Sequence, residues 1–271
     1  MIKSVSLAVL LFLGVFAAAA QNVKPLSIGE VHTIKSDFLN EERFLNIYLP
    51  EKFDKEKNYP IIYLLDGSIH EDFLHIVGLV QYFNLQFTMP ESIVIGIANV
   101  DRKRDFTFPT AIEELKKDYP TTGHSGKFIQ FLEQELKPYI DEYFKNDGNE
   151  YIIGQSLGGL LATEILLSKP NLFSHYFIVS PSLWWDDQSV LKGASSKFAN
   201  FTTKPKHVYI SVGKKEHPVM VRDAENFFET LDSVKGSTTI KFNLMKEEDH
   251  GTILHNSIYN GFEYLFPAKK Y

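Results

Sequence analysis

Between residues 61 and 244, short and almost wholly apolar runs alternate with longer stretches whose apolar residues recur every three or four positions. The short runs are Ile61–Leu65, Ile93–Ile97, Tyr151–Ile153, Tyr176–Val179, Val208–Val212 and the more mixed Ile240–Leu244. A strand that stays apolar throughout must be covered on both faces, as in a mostly parallel sheet sandwiched between helices. The periodic stretches supply those helices. Phe73, Ile76, Val77 and Val80 follow an i, i+3, i+4, i+7 spacing, as do Ala224, Phe227, Phe228 and Leu231. Phe128, Phe131, Leu132, Leu136, Tyr139, Ile140 and Tyr143 stripe a third helix, and Ile258, Gly261, Phe262 and Leu265 a last one. Upstream, Ile28–Leu39 and Arg43–Leu49 read as an antiparallel pair about the polar turn Asn40-Glu41-Glu42. With no repeat, linker or low-complexity stretch in residues 21–271, the pattern predicts a single α/β domain with a mainly parallel sheet.

The first twenty residues differ in kind. Lys3 precedes an uncharged apolar run, Leu7–Ala20, that ends in Ala18-Ala19-Ala20, the three-part layout of a secretory signal peptide. Those fourteen residues fall short of the roughly 20 that a spanning helix needs. The expectation is a cleaved leader, 1–20, and an exported mature chain, periplasmic or secreted, without a membrane span. The sequence has no cysteine, which excludes a disulfide framework, a thiolate nucleophile, a cysteine-ligated zinc and a lipoprotein anchor. Its net charge of −6 is scattered in both signs, which argues against nucleic acid as a partner, and no basic run suggests an anionic membrane.

The most specific chemistry lies at Gly154-Gln155-Ser156-Leu157-Gly158, between an expected strand and an expected helix. This is the context of a nucleophile elbow, where a sharp strained turn exposes the serine hydroxyl. Gly154 and Gly158 are expected where strand and helix pass too closely for a Cβ, and Gly159 adds room for packing. A helix N-terminus behind Ser156 favours negative charge developing there.

A serine hydroxyl needs a base. In hydrolases of this fold the order is Ser, acid, His, which leaves His175, His207, His217, His250 and His255 as candidates. His250, in the polar loop Lys246–Thr252 between the last strand and last helix, is best placed. The acid should follow the penultimate strand, where Glu216 lies; Asp223, Glu247, Glu248 and Asp249 compete. The oxyanion of a tetrahedral intermediate needs backbone donors. The residue after the nucleophile, Leu157, supplies one, and Gly67 or Ser68 in Leu64-Leu65-Asp66-Gly67-Ser68 the other. No histidine cluster has metal-ligand spacing, so no metal or organic cofactor is expected.

These residues carry a resemblance. Tyr63–Gly67, Arg102–Thr107, Phe131–Ile140, the Ser156 elbow, Ser180–Trp185 and Val212–Glu216 occur in the order of an esterase family of α/β hydrolases. That family contains esterase D-like proteins and the esterases that cleave trilactone siderophores such as enterobactin. The resemblance implies an α/β-hydrolase fold with helices on both faces of the sheet. It also implies that Arg102 and Arg104 lie near the active-site mouth, where a cation binds an anionic substrate group or makes an ordinary salt bridge. Phe108, intervening before Pro109, departs from the family's segment. Trp184 and Trp185 resemble the wall beside the nucleophile, with Trp185 expected to be the exposed one.

The resulting expectation is an exported serine hydrolase that cleaves a small-molecule or glycan ester through an acyl-enzyme. The alternatives are an acyltransferase like the mycolyl transferases, and a non-catalytic siderophore- or glycan-binding protein on the same fold.

Overall fold

The structure, a computed structural model, describes residues 24–268. The expected leader lies outside the described residues. Eight strands form one sheet, β1 (Gly29–Ser36), β2 (Glu41–Tyr48), β3 (Tyr59–Leu64), β4 (Ile93–Ile97), β5 (Asn146–Gln155), β6 (His175–Val179), β7 (His207–Gly213) and β8 (Thr239–Met245), in the order β1-β2-β4-β3-β5-β6-β7-β8. β2 is antiparallel to both β1 and β4, and every pairing from β4 to β8 is parallel. The expected α/β sheet with an antiparallel N-terminal pair is therefore present.

The continuous apolar runs are explained by two cores. Ile61, Tyr63 and Leu65 point to one face and Ile62 and Leu64 to the other, and β6 divides Tyr176 and Ile178 from Phe177 and Val179 in the same way. The smaller core lies under α1 (Phe73–Leu85) and α10 (Ile253–Leu265). Short helices α2 (Arg102–Phe106) and α3 (Glu113–Asp118) follow β4. The larger core takes side chains from α4 (Ser125–Phe131), α5 (Lys137–Tyr143), α6 (Leu157–Ser168), α8 (Ala194–Ala199) and α9 (Pro218–Asp232), with α7 (Trp185–Lys192) lying before α8. Between α4 and α5 the expected single helix widens into a π turn, Leu132–Leu136. Pro138 accounts for it: proline lacks an N–H and crowds the carbonyl four residues back, at Gln134, within the wider turn. No helix among the described residues is long and apolar enough to cross a membrane.

The order β4-β3-β5 marks where the chain, having run outward from β3 to β4, returns to build the other half of the sheet. Open α/β sheets bind ligands in the crevice beyond the carboxyl ends of the strands at such a switch point. The loops after β3, β4, β5, β7 and β8 all open toward that end of the sheet.

Candidate active site

Ser156 joins β5 to α6 with φ 60° and ψ −118°, a conformation that a side chain other than glycine seldom adopts. Its backbone is pinned to the next strand, because Ser156 N–H donates to the Val179 carbonyl at 3.1 Å and Ser182 N–H to the Ser156 carbonyl at 3.0 Å. Close approach demands glycine at two flanking positions. A Cβ on Gly154 would lie 2.4 Å from the Gly158 carbonyl oxygen, and one on Gly159 would lie 2.9 Å from that of Val179. At Gly158 the nearest atom is 3.4 Å away, so Gly159, and not Gly158 as expected, is the second crowded glycine. Leu157 opens α6, where the first N–H groups have no intrahelical acceptor.

Glu216 and His250 meet: His250 Nδ1 lies 2.7 Å from Glu216 Oε2. The Glu216 carboxylate is almost wholly buried, whereas 46% of the His250 side chain is exposed. The other carboxylate oxygen accepts from Ser180 Oγ and, at 2.7 Å, from Gly213 N–H. Burial opposes charge on Glu216, but the bonds from His250, Ser180 and Gly213 outweigh it and hold the carboxyl below its ordinary pKa. A carboxylate on Nδ1 leaves Nε2 as the ring nitrogen without that partner. The rival acids are otherwise engaged: Asp249 Oδ1 accepts the Gly251 and Thr252 N–H groups, Glu248 accepts from Asn256, and Glu247 pairs with Lys215. Asp223 is buried inside α9 and pairs with Arg222. His217 caps α9 by accepting from Val219 N–H, and His255 lies beside His75.

Ser156 and His250 line one cleft of about 350 Å³ with Asp66, Glu71, Asp72, Arg102 and Gln155. Among the described residues the hydrogen-bond partner of Ser156 Oγ is Ser182 Oγ, at 3.4 Å. Glu71, Asp72 and Gln155 in the cleft, and Ser180 on Glu216, are not among the site residues expected from the sequence. Ser180 carries a signal in the Ser180–Trp185 segment and Gln155 in its place beside Ser156. Burial, followed by the charges of Asp66 and Glu71, pushes the Asp72 carboxyl up to about 7 despite Arg102.

The Gly67 and Trp185 expectations need correction, and the two arginines take the salt-bridge alternative. Gly67 is not a free oxyanion donor: its N–H donates to the Ile97 carbonyl at 3.0 Å, where the backbone packs against Gly96. Ser68 N–H, by contrast, has only a long 3.4 Å contact to Glu71. Arg104 does not face a substrate; it pairs with Glu41 and with Asp105, which Arg43 also grips from the buried side. Arg102 does reach the cleft, but its Nε and Nη2 bind Asp66 at 2.6 and 2.9 Å, so its charge is already paired. Trp185 is not exposed: it is fully buried and donates Nε1–H to the Phe108 carbonyl at 3.0 Å. Trp184 is the half-buried member of the pair, beside Tyr119. Among the described residues no group of acidic or histidine side chains is placed to hold a metal ion.

A mostly parallel sheet with a strained serine turn at its switch point is the architecture of an α/β hydrolase. Comparison with known proteins agrees. The family described as "Putative esterase" matches residues 36–262. The chain is 30% identical over 220 residues to the ferri-bacillibactin esterase of Bacillus subtilis, covering 71% of this chain and 74% of that one. Among solved structures it resembles the BES protein from Bacillus cereus, with TM-score 0.79, 28% identity and coverage of 90% and 97%. It also resembles an IroE-like serine hydrolase from Shewanella oneidensis, with TM-score 0.77, 27% identity and coverage of 88% and 79%. The chain belongs to this esterase family and is a carboxylic ester hydrolase.

Proposed function

We propose that the protein is an exported serine esterase acting through an acyl-enzyme on a siderophore ester. The observation that carries the mechanism is the Glu216–His250 bond, made by two loops that converge on the cleft holding Ser156. In this reading His250 Nε2 takes the proton of Ser156 as Oγ attacks the ester carbonyl. Glu216 holds the ring's tautomer and stabilises the imidazolium. The oxyanion is received by the N–H of Leu157 at the α6 N-terminus, with Ser68 N–H as the second donor. Collapse of the intermediate expels the alcohol, to which His250 returns the proton. A water deprotonated by His250 then releases the acid and restores the serine. No metal enters these steps.

The substrate class is supported by the relatives, one of which is named for ferri-bacillibactin. Export rests on the layout of residues 1–20. The test is hydrolysis by residues 21–271 of a panel comprising a trilactone siderophore with and without iron and short-chain, feruloyl and acetyl-glycan esters. The trilactone is expected to give the highest kcat/KM. Preference for a feruloyl or glycan ester would move the substrate assignment, and binding without turnover would favour the non-catalytic alternative.

A further inference from the structure

We propose that Gln155 is a positioning residue whose side-chain amide clamps the His250 loop onto the nucleophile elbow. The proposal rests on the serine-esterase reading above. β8 is the edge strand of the sheet, so the loop that follows it has no strand beyond it for support. Its inner side is held by Lys214 N–H on the Met245 carbonyl, Lys215 N–H on the Glu248 carbonyl, and Glu216 on the His250 ring. Those ties all come from the loop after β7. They fix the histidine relative to its acid, and only indirectly relative to the serine.

Gln155 supplies a direct tether to the elbow, where the route through Glu216, Ser180 and the Ser182–Ser156 bond is indirect. Its Nε2 donates to the His250 carbonyl at 2.6 Å, and Gln155 is covalently next to Ser156, so this bond sets the histidine backbone directly from the nucleophile. The elbow is braced from the opposite side as well. The Gln155 carbonyl accepts from Arg102 Nη2 at 3.2 Å, and Arg102 is held by Asp66, which also accepts from Asn99 at 2.7 Å. Hydrogen bonds thus run from the loops after β3 and β4, through the residue before Ser156, to the loop after β8. Gln155 is half-buried at the rim of the cleft, so the thermal midpoint is needed to separate a packing role from this one. A misplacement of about 1 Å in a catalytic group can cost on the order of 100-fold in rate.

The test compares Gln155→Ala, Gln155→His and Gln155→Glu with wild type in the mature chain. It measures kcat and KM on a chromogenic ester, the rate of fluorophosphonate labelling at Ser156, thermal midpoint, and kcat/KM against pH. Gln155→Ala should lower kcat by about 10- to 100-fold with KM within about twofold, an unchanged midpoint and a parallel loss in labelling rate. Gln155→His keeps an N–H that reaches toward the carbonyl and should recover most of the rate. Gln155→Glu turns an acceptor toward the carbonyl and should lose as much as the alanine variant. Its added negative charge favours the protonated imidazole, so the acid limb of its profile should also move to higher pH. Alanine-variant rates within twofold of wild type would overturn the proposal. So would a loss that Gln155→His does not restore, accompanied by an unshifted profile in Gln155→Glu. Wild-type protein that is not labelled at Ser156 would instead overturn the serine-esterase reading, and this proposal with it.

Discussion

At the residue scale, the environment of Glu216 explains how a carboxylate can stay charged with almost no exposure: it accepts from a hydroxyl, a backbone N–H and the histidine it orients. Glu216→Gln keeps the shape but cannot stabilise an imidazolium. It should lower kcat by roughly 10² to 10³, or about 3 to 4 kcal/mol of transition-state stabilisation. The acid limb of kcat/KM should move to lower pH, because a protonated histidine loses its partner. A profile that loses rate without moving would argue that Glu216 only packs. Trp185 makes the opposite kind of prediction. As a fully buried ring, its replacement by alanine should cost about 3 to 5 kcal/mol of unfolding free energy, read from urea denaturation. A nearly neutral stability change with a raised KM would restore it to the substrate wall. Ser156, His250 and Glu216 can be proposed together from the sequence because elbow chemistry and chain order constrain them jointly, and the Glu216–His250 bond fits that proposal. Gly67 and Trp185 depart from expectation, and Arg104 takes the salt-bridge alternative, for a common reason. The sequence names a donor, a cation or a ring, but not whether a neighbour has already claimed it: Ile97, the Glu41–Asp105 pair and Phe108 have.

At the element scale, strands and helices followed from periodicity because each buried face leaves its own mark, and the two cores divide the strand residues by alternation. What periodicity hid was local backbone. The Phe128–Tyr143 stripe gives no sign of a π turn, since a one-residue widening barely disturbs an apolar face. The turn after Trp185 holds Asp186, Asp187 and Gln188 all at positive φ, a left-handed run that no apolar spacing announces. The join of β5, β6 and β7 carries a pH signature. His175 stacks between Tyr151, at 4.2 Å, and His207, at 5.0 Å. Burial, then the charges of His207 and Lys206, push its pKa down to about 3. The unfolded chain binds a proton near pH 6.5 while the folded chain does not, so stability from this group is full above that pH and is lost as pH falls toward 3. His175→Phe preserves the stack and removes the titration. Between pH 7 and pH 4.5 it should lose about 2 kcal/mol less unfolding free energy than wild type. Equal losses in the two proteins would show that His175 is protonated in the folded state without penalty.

At the scale of the whole molecule, the candidate machinery is gathered from distant parts of the chain by one geometric fact: parallel strands end together. Asp66, Arg102, Ser156, Glu216 and His250 each follow a different strand, and the sheet brings their loops to one cleft or one hydrogen bond away from it. Sequence order alone could place them on that edge. It could not show that Arg102 would arrive already paired with Asp66, leaving three carboxylates and one neutralised cation around the serine. The charge of the cleft is therefore a property of the assembled fold, and it bears on which esters enter. In the proposed reaction Ser156 forms the covalent intermediate. Mass spectrometry of residues 21–271 after fluorophosphonate treatment, on wild type and Ser156→Ala with hydrolysis assayed alongside, tests this directly. A single adduct on the peptide carrying Ser156, absent from a folded and inactive Ser156→Ala, is the predicted result. An adduct on another residue, or turnover by Ser156→Ala within a few fold of wild type, would contradict it.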